Sequence, residues 1–136
     1  GHPPMVLIRP AAPAGEGEAR PTELEALPVQ SGVVGAFENM VYRNGVFSFA
    51  PGDILFMYTD GAIEARDAAG NFFGEQRLHE TLIRVAPEGV EGLCAKVLAE
   101  LDEFSGSALD DDIAMVALRF DCGADFVRPL RTGGAA

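Results

Sequence analysis

The sequence predicts an α+β fold in which the strands of a β-sheet are covered by two helices. The stretches 54–58 and 113–120 are apolar almost throughout, which is typical of strands buried on both faces. Between them, residues 74–86 and 90–104 repeat apolar side chains with the period of an amphipathic helix. The simplest arrangement is one sheet packed on another, with helices covering an outer face.

The remaining elements are shorter strands, turns and loops. Residues 10–23 are rich in Pro, Ala, Gly and Glu and are expected to form an exposed loop. A glycine-bounded turn is predicted at 31–35, and Asn44-Gly45 predicts a tight hairpin turn. The tail at 121–136 ends in Thr-Gly-Gly-Ala-Ala and is expected to be poorly ordered. Short strands are predicted at 5–9, 24–29, 37–42, 46–49 and 62–66.

Charge and composition exclude several classes of partner. The 136-residue chain has a formal net charge of −11, so its surface repels nucleic acid phosphates and anionic lipids. No apolar run reaches the length of a membrane span, and the N-terminus lacks the pattern of a signal peptide. Two cysteines, Cys94 and Cys122, are too few for a disulfide framework. We therefore expect a cytoplasmic protein whose partner is neither nucleic acid nor a membrane.

Asp60 is the first residue that could carry chemistry. It lies at the C-terminal end of the buried strand 54–58, a rigid platform from which a carboxylate can be aimed. Gly61 lets the backbone turn sharply beside it. The alternative is a plain turn, because Asp and Gly are common in turns for backbone reasons alone. Taken by itself, this dipeptide favours the turn.

Three consecutive carboxylates, Asp110, Asp111 and Asp112, stand directly before the strand 113–120. Adjacent carboxylates repel one another, and the repulsion costs least when they are solvated or when a cation lies among them. Hard cations such as Mg²⁺ and Mn²⁺ prefer carboxylate oxygen. Taken by itself, a solvated acidic loop is the favoured interpretation.

The positions of the acidic residues relative to the two buried strands favour a shared function. Asp60 follows one of these strands and Asp111 precedes the other. If the strands are antiparallel neighbours, those two ends meet, as a shared set of metal ligands requires. The pairing of the strands is the hypothesis on which this interpretation depends.

Other candidate residues carry weaker signals. His2 could be a ligand or an acid but is more often a loop contact, and His79 on the predicted helix is expected at the surface. The sequence contains no Gly-rich phosphate loop, no nucleophilic Ser or Cys motif and no zinc-ligand spacing. Four arginines could bind phosphate, and no feature singles one out: Arg9, Arg43, Arg66 and Arg77.

Several short motifs occur in a distinctive order. They are Gly-His-Pro-Pro at 1–4, Pro-Gly-Asp at 51–53, Tyr-Thr-Asp-Gly at 58–61 with Ile-Glu-Ala at 63–65, Phe-Gly at 73–74 before Arg77-Leu78, and Asp-Asp-Ile-Ala at 111–114. In this order and spacing the set resembles the bacterial PPM (PP2C-like) protein serine/threonine phosphatases of the SpoIIE/RsbU type. The resemblance runs from residue 1 to about residue 119 and leaves out the tail.

The resemblance implies an αββα sandwich of two antiparallel sheets flanked by helices, with residues 1–120 as the C-terminal portion of the domain. It implies a dinuclear Mn²⁺ or Mg²⁺ site and hydrolysis of phosphoserine or phosphothreonine by a water that the cations activate. By motif, Asp60 and Asp111 are the expected metal ligands, supported by the adjacent Asp112 and Gly61. No catalytic residue separate from the ligands is implied. The implied substrate is a phosphorylated regulatory protein, a STAS-type anti-anti-sigma factor of a partner-switching stress response.

One departure from the family pattern keeps a second function open. The family carries further acidic motifs upstream, including a Gly-Asp motif that bridges the metals, and this chain contains none of them. We therefore expect the isolated chain to bind metal weakly and to be inactive. We also expect the missing N-terminal half, or another chain, to cover its apolar sheet surface. The alternative is a non-catalytic regulatory module that binds a partner of the sigma-factor pathway, although the presence of both Asp60 and Asp111 favours the enzyme.

Overall fold

The fold is a four-stranded antiparallel sheet with helices on one face. The computed structural model describes residues 3–11, 21–27, 38, 45–106 and 111–121. The strands are β1 (Met5–Arg9), β2 (Glu23–Leu27), β3 (Ile54–Tyr58) and β4 (Met115–Arg119). They are ordered β2-β1-β3-β4, and every neighbouring pair is antiparallel. The helices are α1 (Gly61–Glu64), α2 (Gly74–Val85) and α3 (Leu93–Ser105), with a 3₁₀ turn at Ala86–Glu88. The predicted α+β class is confirmed.

Strand β3 is central to the sheet because it pairs with β1 on one side and with β4 on the other. Four of its five residues are buried, as its uninterrupted apolar sequence predicts. Phe56 and Tyr58 belong to the core beneath the helices, whereas Leu55 belongs to a smaller cluster on the opposite face. The C-terminal end of this strand is therefore held by packing from both sides.

Helices α2 and α3 cover one face of the sheet, as their periodicity predicts. Gly89 and Gly92, with φ of 102° and 75°, have left-handed backbone conformations that a right-handed helix cannot continue. This is why α3 begins at Leu93 and not at residue 90. The helix residues buried against the sheet are Leu78, Leu82, Val85, Leu93, Val97 and Leu101.

The prediction of a strand at 62–66 is wrong, because most of this stretch belongs to the short helix α1. The backbone carbonyls of Thr59 and Asp60 accept hydrogen bonds from N–H groups three or four residues further along the chain. These bonds close helical turns directly after β3. A run of only four residues is too short for apolar periodicity to separate a helix from a strand.

Strand β4 lies at the edge of the described sheet and is not buried on both faces, so that prediction is wrong. Met115 and Ala117 pack against the core beneath the helices. Val116 and Leu118, which point the other way, are 46% and 47% exposed. They lie opposite residues 57 and 55 of β3 in the strand register, so an apolar surface remains open along β4.

The face of the sheet away from the helices is partly covered by residues 45–50 and Phe120. The ring of Phe49 stacks on Phe120 with their centroids 3.8 Å apart, and Leu7 and Leu55 are buried nearby. Residues 46–49 have no strand pairing within the described part of the chain, so the prediction of a strand there is wrong.

Several sequence predictions fall outside the described residues. These are the turn at 31–35, most of the loop at 10–23, the strand at 37–42 except for Glu38, and the tail beyond Asp121. The strand predicted at 24–29 is observed as β2, from Glu23 to Leu27. The described strands form one sheet, and a second sheet is not among them. None of the described helices is long and apolar enough to cross a membrane.

Replacement of Leu82 by alanine should lower the free energy of unfolding by about 2–5 kcal/mol, because a fully buried side chain is removed from the core. Ile83 on the same helix is 42% exposed, and Ile83→Ala should cost less than about 1 kcal/mol. Urea unfolding followed by circular dichroism measures both. Equal losses in the two variants would contradict the assignment of the buried face of α2.

Candidate metal centre

The C-terminal end of β3 and the segment that leads into β4 lie side by side. Tyr58 is opposite Met115 in the antiparallel register, and the N–H of Thr59 donates to the carbonyl of Ala114 at 3.0 Å. The strand pairing that the sequence left as a hypothesis is thereby confirmed. Asp60 follows one of these paired ends, Asp111 precedes the other, and both residues are exposed to solvent.

The carboxylate of Asp60 does not cap the helix that follows it. Asp60 occupies the N-cap position of α1 with φ −56° and ψ −31°, and its side chain makes no capping hydrogen bond. An aspartate that serves a turn or a cap directs a side-chain oxygen to a nearby backbone N–H. Asp60 therefore takes part in the turn through its backbone, and its carboxylate does not serve as a cap.

Asp111 and Asp112 contribute different groups to this corner. Oδ1 of Asp111 accepts the N–H of Asp112 at 2.8 Å, which leaves its second oxygen without a hydrogen bond to the described residues. Asp112 contributes its backbone, because its carbonyl accepts the Thr59 hydroxyl at 3.2 Å. Asp110 lies outside the described ranges. The structure thus places Asp112 beside Asp111 as a support of the corner through its main chain.

Gly61 is required by the close approach of the Asp112 carbonyl. A Cβ at residue 61 would lie 2.7 Å from the oxygen and 3.3 Å from the carbon of that group. Gly61 is the first residue of α1 and is not one of the described glycines with positive φ. The glycine therefore provides space between two chain segments, which differs from the sharp turn that the sequence suggested.

Tyr58 anchors the strand end in the core. It is only 2% exposed, and its ring stacks with Phe56 at a centroid distance of 6.0 Å. Burial, and then the nearby negative charge of Glu75, raise the pKa of Tyr58 to about 12. The hydroxyl is buried, and it has no hydrogen-bond partner among the described residues. A neutral, enclosed phenol holds the platform beneath Asp60 in place and is not suited to bind a cation.

Three of the arginines considered as phosphate ligands make other contacts in the described part of the chain. Arg9 pairs with Glu25 at 3.0 Å, and the guanidinium groups of Arg66 and Arg77 lie 4.4 and 4.8 Å from phenylalanine ring centroids. His79 is half-buried, and its enclosed Nε2 has no hydrogen-bond partner within the described ranges, so the prediction of a surface position is wrong. Arg43 and His2 lie outside the described residues.

The donor groups at this corner fit a hard divalent cation. Over the described ranges, no three His, Cys, Asp or Glu side chains come together as a metal site. A protein-bound Mg²⁺ usually keeps several waters and is held by one or two carboxylates, and Mn²⁺ shares its preference for oxygen. Two exposed carboxylates satisfy that requirement. The assignment of Asp60 and Asp111 as the ligands stays a prediction.

Sequence reasoning gave no role to Thr59, although its hydroxyl joins both sides of the corner. This hydroxyl donates to the carbonyl of Asp112 and accepts the N–H of Ala114 at 3.0 Å. A threonine at a strand end carries no such information in the sequence, because β-branched residues are favoured in strands for packing reasons.

Replacement of Gly61 by alanine should lower the free energy of unfolding by about 1–3 kcal/mol, because the added Cβ meets a backbone carbonyl. Among the described residues, no atom lies within 4 Å of a Cβ added at Gly45, so Gly45→Ala should change stability by less than about 0.5 kcal/mol. Thermal unfolding of both variants measures the difference. A Gly61→Ala variant as stable as the parent would show that the two segments are not in tight contact.

A solved PP2C phosphatase domain has a similar fold. The SiaA-PP2C domain of Pseudomonas aeruginosa matches with a TM-score of 0.58 and 23% sequence identity, over 88% of this chain and 44% of that chain. The PP2C phosphatase domain of the cell fate determinant SpoIIE from Bacillus subtilis, solved with a fragment of its regulatory domain, matches with a TM-score of 0.46 and 18% identity. That match covers 91% of this chain and 33% of the other. The chain thus spans less than half of each of these structures.

Sequence comparison gives one curated relative and one protein family. Protein IcfG of Synechocystis sp. is 35% identical over 85 residues, which make up 62% of this chain and 13% of IcfG. The sequence profile of the family described as Stage II sporulation protein E (SpoIIE) matches residues 1–121. This match spans every described strand and helix, and the chain therefore belongs to the SpoIIE family.

Proposed function

We propose that this chain takes part in the metal-dependent hydrolysis of phosphoserine or phosphothreonine on a regulatory protein. The observation that carries the proposal is the meeting of the β3 and β4 ends, which brings Asp60 and the segment of Asp111 to one corner. Membership of the SpoIIE family supports it, because PP2C-like phosphatases are generally metal-dependent. The proposed activity is that of a whole domain. This chain covers 44% and 33% of the two solved PP2C structures that it matches.

The residues at the corner have separate roles in the proposed reaction. Asp60 and Asp111 hold Mn²⁺ or Mg²⁺ as part of a dinuclear site. When bound, such ions supply Lewis acidity for the attack of water on phosphorus and neutralise the phosphoryl oxygens. Gly61 and the backbone of Asp112 fit against each other and keep the two ligand-bearing segments together. Both ligands are exposed, so a phosphorylated side chain can approach them from solvent.

The acidity of the chain explains why the proposed reaction needs cations. The formal net charge is −11, and a phosphate ester next to the carboxylates of the corner would be repelled by them. Cations bound by the carboxylates would reverse the sign of that interaction. A phosphatase with this surface therefore needs metal ions to bind its substrate.

The proposed substrate is a phosphorylated STAS-type anti-anti-sigma factor in the cytoplasm, on the strength of the family resemblance. The proposed structural partner is the N-terminal half of the domain, or another chain that completes it. The open apolar surface at Val116 and Leu118 supports a covering partner, because these side chains are 46% and 47% exposed. The small number of cysteines agrees with a reducing compartment.

A second candidate function is a non-catalytic regulatory module that binds a partner of the sigma-factor pathway. One observation favours it: within the described ranges, no third metal-binding side chain joins Asp60 and Asp111. In that case partner binding would not depend on Mn²⁺. The two functions therefore differ in whether a metal is needed.

In the full-length protein, Asp60→Asn and Asp111→Asn should each lower Mn²⁺-dependent hydrolysis of p-nitrophenyl phosphate and of a phosphoserine peptide by at least about 100-fold. The reason is that even the loss of a group that supports a metal ligand lowers metal affinity or activity by about 10–100-fold. The amide keeps the shape of the side chain and removes its charge. Calorimetry should show the loss of Mn²⁺ binding in the same variants. Glu91→Gln removes an exposed carboxylate in the turn before α3 and should leave both properties unchanged.

The outcomes of this experiment test the ligand assignment first and the choice between the two functions second. Unchanged Mn²⁺ affinity and turnover in both aspartate variants would show that these residues are not the ligands. A parent protein that neither binds Mn²⁺ nor hydrolyses the ester would contradict the phosphatase and leave the regulatory module as the better account.

A further inference from the structure

The hydrogen bonds between β3 and β4 change their pattern at Thr59. In an antiparallel pair, two opposite residues can exchange two backbone hydrogen bonds. Thr59 donates its N–H to the carbonyl of Ala114 at 3.0 Å, but the N–H of Ala114 donates to the Thr59 hydroxyl, also at 3.0 Å. The carbonyl of Thr59 accepts the N–H of Ala62 at 3.1 Å instead. The hydroxyl thus replaces the carbonyl in the sheet, and the carbonyl is free to begin α1.

The same hydroxyl also holds the acidic segment. Its proton is donated to the carbonyl oxygen of Asp112 at 3.2 Å. A hydroxyl has one donor and can accept at the same time, so both bonds can form together. Gly61 lies against that carbonyl as well, at a distance that leaves no room for a Cβ. The two neighbours of Asp60 therefore both fix the Asp112 carbonyl. Thr59 holds it by a hydrogen bond, and Gly61 packs against it.

These contacts connect the backbones that carry the two predicted ligands. Thr59 directly precedes Asp60, and Asp112 directly follows Asp111. The bond between the Thr59 hydroxyl and the Asp112 carbonyl is thus one residue away from a carboxylate at each end. Metal affinity depends on ligands that are held near their binding geometry before the ion arrives.

We propose that Thr59 is a positioning residue of the metal centre, whose hydroxyl sets the distance between the Asp60 and Asp111 carboxylates. The inference rests on the proposed function, because it requires that both carboxylates bind the same ion. The hydroxyl of Thr59 is engaged with Ala114 and Asp112 and acts on the metal through the backbone. Its removal should weaken metal binding even where the fold is kept.

The test is the Mn²⁺ affinity of Thr59 variants of the full-length protein, measured by calorimetry at a temperature where all variants are folded. Thr59→Val keeps the shape of the side chain and removes both hydrogen bonds, and should weaken Mn²⁺ binding by at least about tenfold. Thr59→Ser keeps the hydroxyl and should stay within about threefold of the parent. Thr59→Ala should weaken Mn²⁺ binding as much as Thr59→Val does. It takes the place of Thr59→Val if that variant does not fold.

Thr22 offers a matched control. Its hydroxyl also accepts a backbone N–H, from Ala11 at 3.2 Å, and it lies where β2 begins, beside the end of β1. This is the opposite end of the sheet from Asp60, so Thr22→Val should leave Mn²⁺ affinity unchanged. A readout without metal is the exchange of the Ala114 amide proton by NMR, which should become faster in Thr59→Val and not in Thr59→Ser.

The outcomes distinguish this inference from the function on which it rests. A folded Thr59→Val variant with parental Mn²⁺ affinity would overturn the positioning role and leave the metal site standing. A loss of affinity in Thr59→Ser as large as in Thr59→Val would also overturn it, because the hydroxyl would then not be the group that matters. Failure of the parent itself to bind Mn²⁺ would overturn both the proposed function and this inference.

Discussion

The antiparallel pairing of β3 with β4 is the constraint on which the rest of the structure depends. It places Tyr58 opposite Met115 and so brings the exit of one strand to the entry of the other. Strand β3 is paired on both sides and buried on both faces, so the core fixes the position of Asp60. The Asp111 segment has no comparable burial. Its position is fixed through bonds to the end of β3, which makes this corner the decisive feature of the proposed site.

The elements that the sequence predicted well are those whose pattern is long or uninterrupted. Strand β3 and helices α2 and α3 occur close to their predicted positions because burial against one sheet dictates their apolar residues. Helix α1 was not predicted, since four residues carry too little periodicity. The exposure of Val116 and Leu118 was not predicted either, because apolar content does not tell a covered strand from one with an open face.

The candidate site was only partly accessible from the sequence. Strand ends and charge pointed to Asp60 and Asp111, and the structure brings their segments together, whereas their role as ligands is still a prediction. Gly61 was identified for its turn and is needed for space. The role of Thr59 depends on its hydrogen bonds to Asp112 and Ala114, which are separated from it by 53 and 55 positions in the chain. No local pattern can show contacts of that kind, because they exist only once the strands have paired.

The most direct test of this account is the broadening of backbone amide NMR signals of the full-length protein by substoichiometric Mn²⁺. Paramagnetic broadening falls steeply with distance, so it locates the ion without reference to activity. The account predicts that signals of residues 59–61 and 111–114 broaden together, before those of the turn at residues 89–92 between α2 and α3. Broadening at only one of the two segments, or spread evenly over the acidic surface, would contradict a metal held jointly by Asp60 and Asp111.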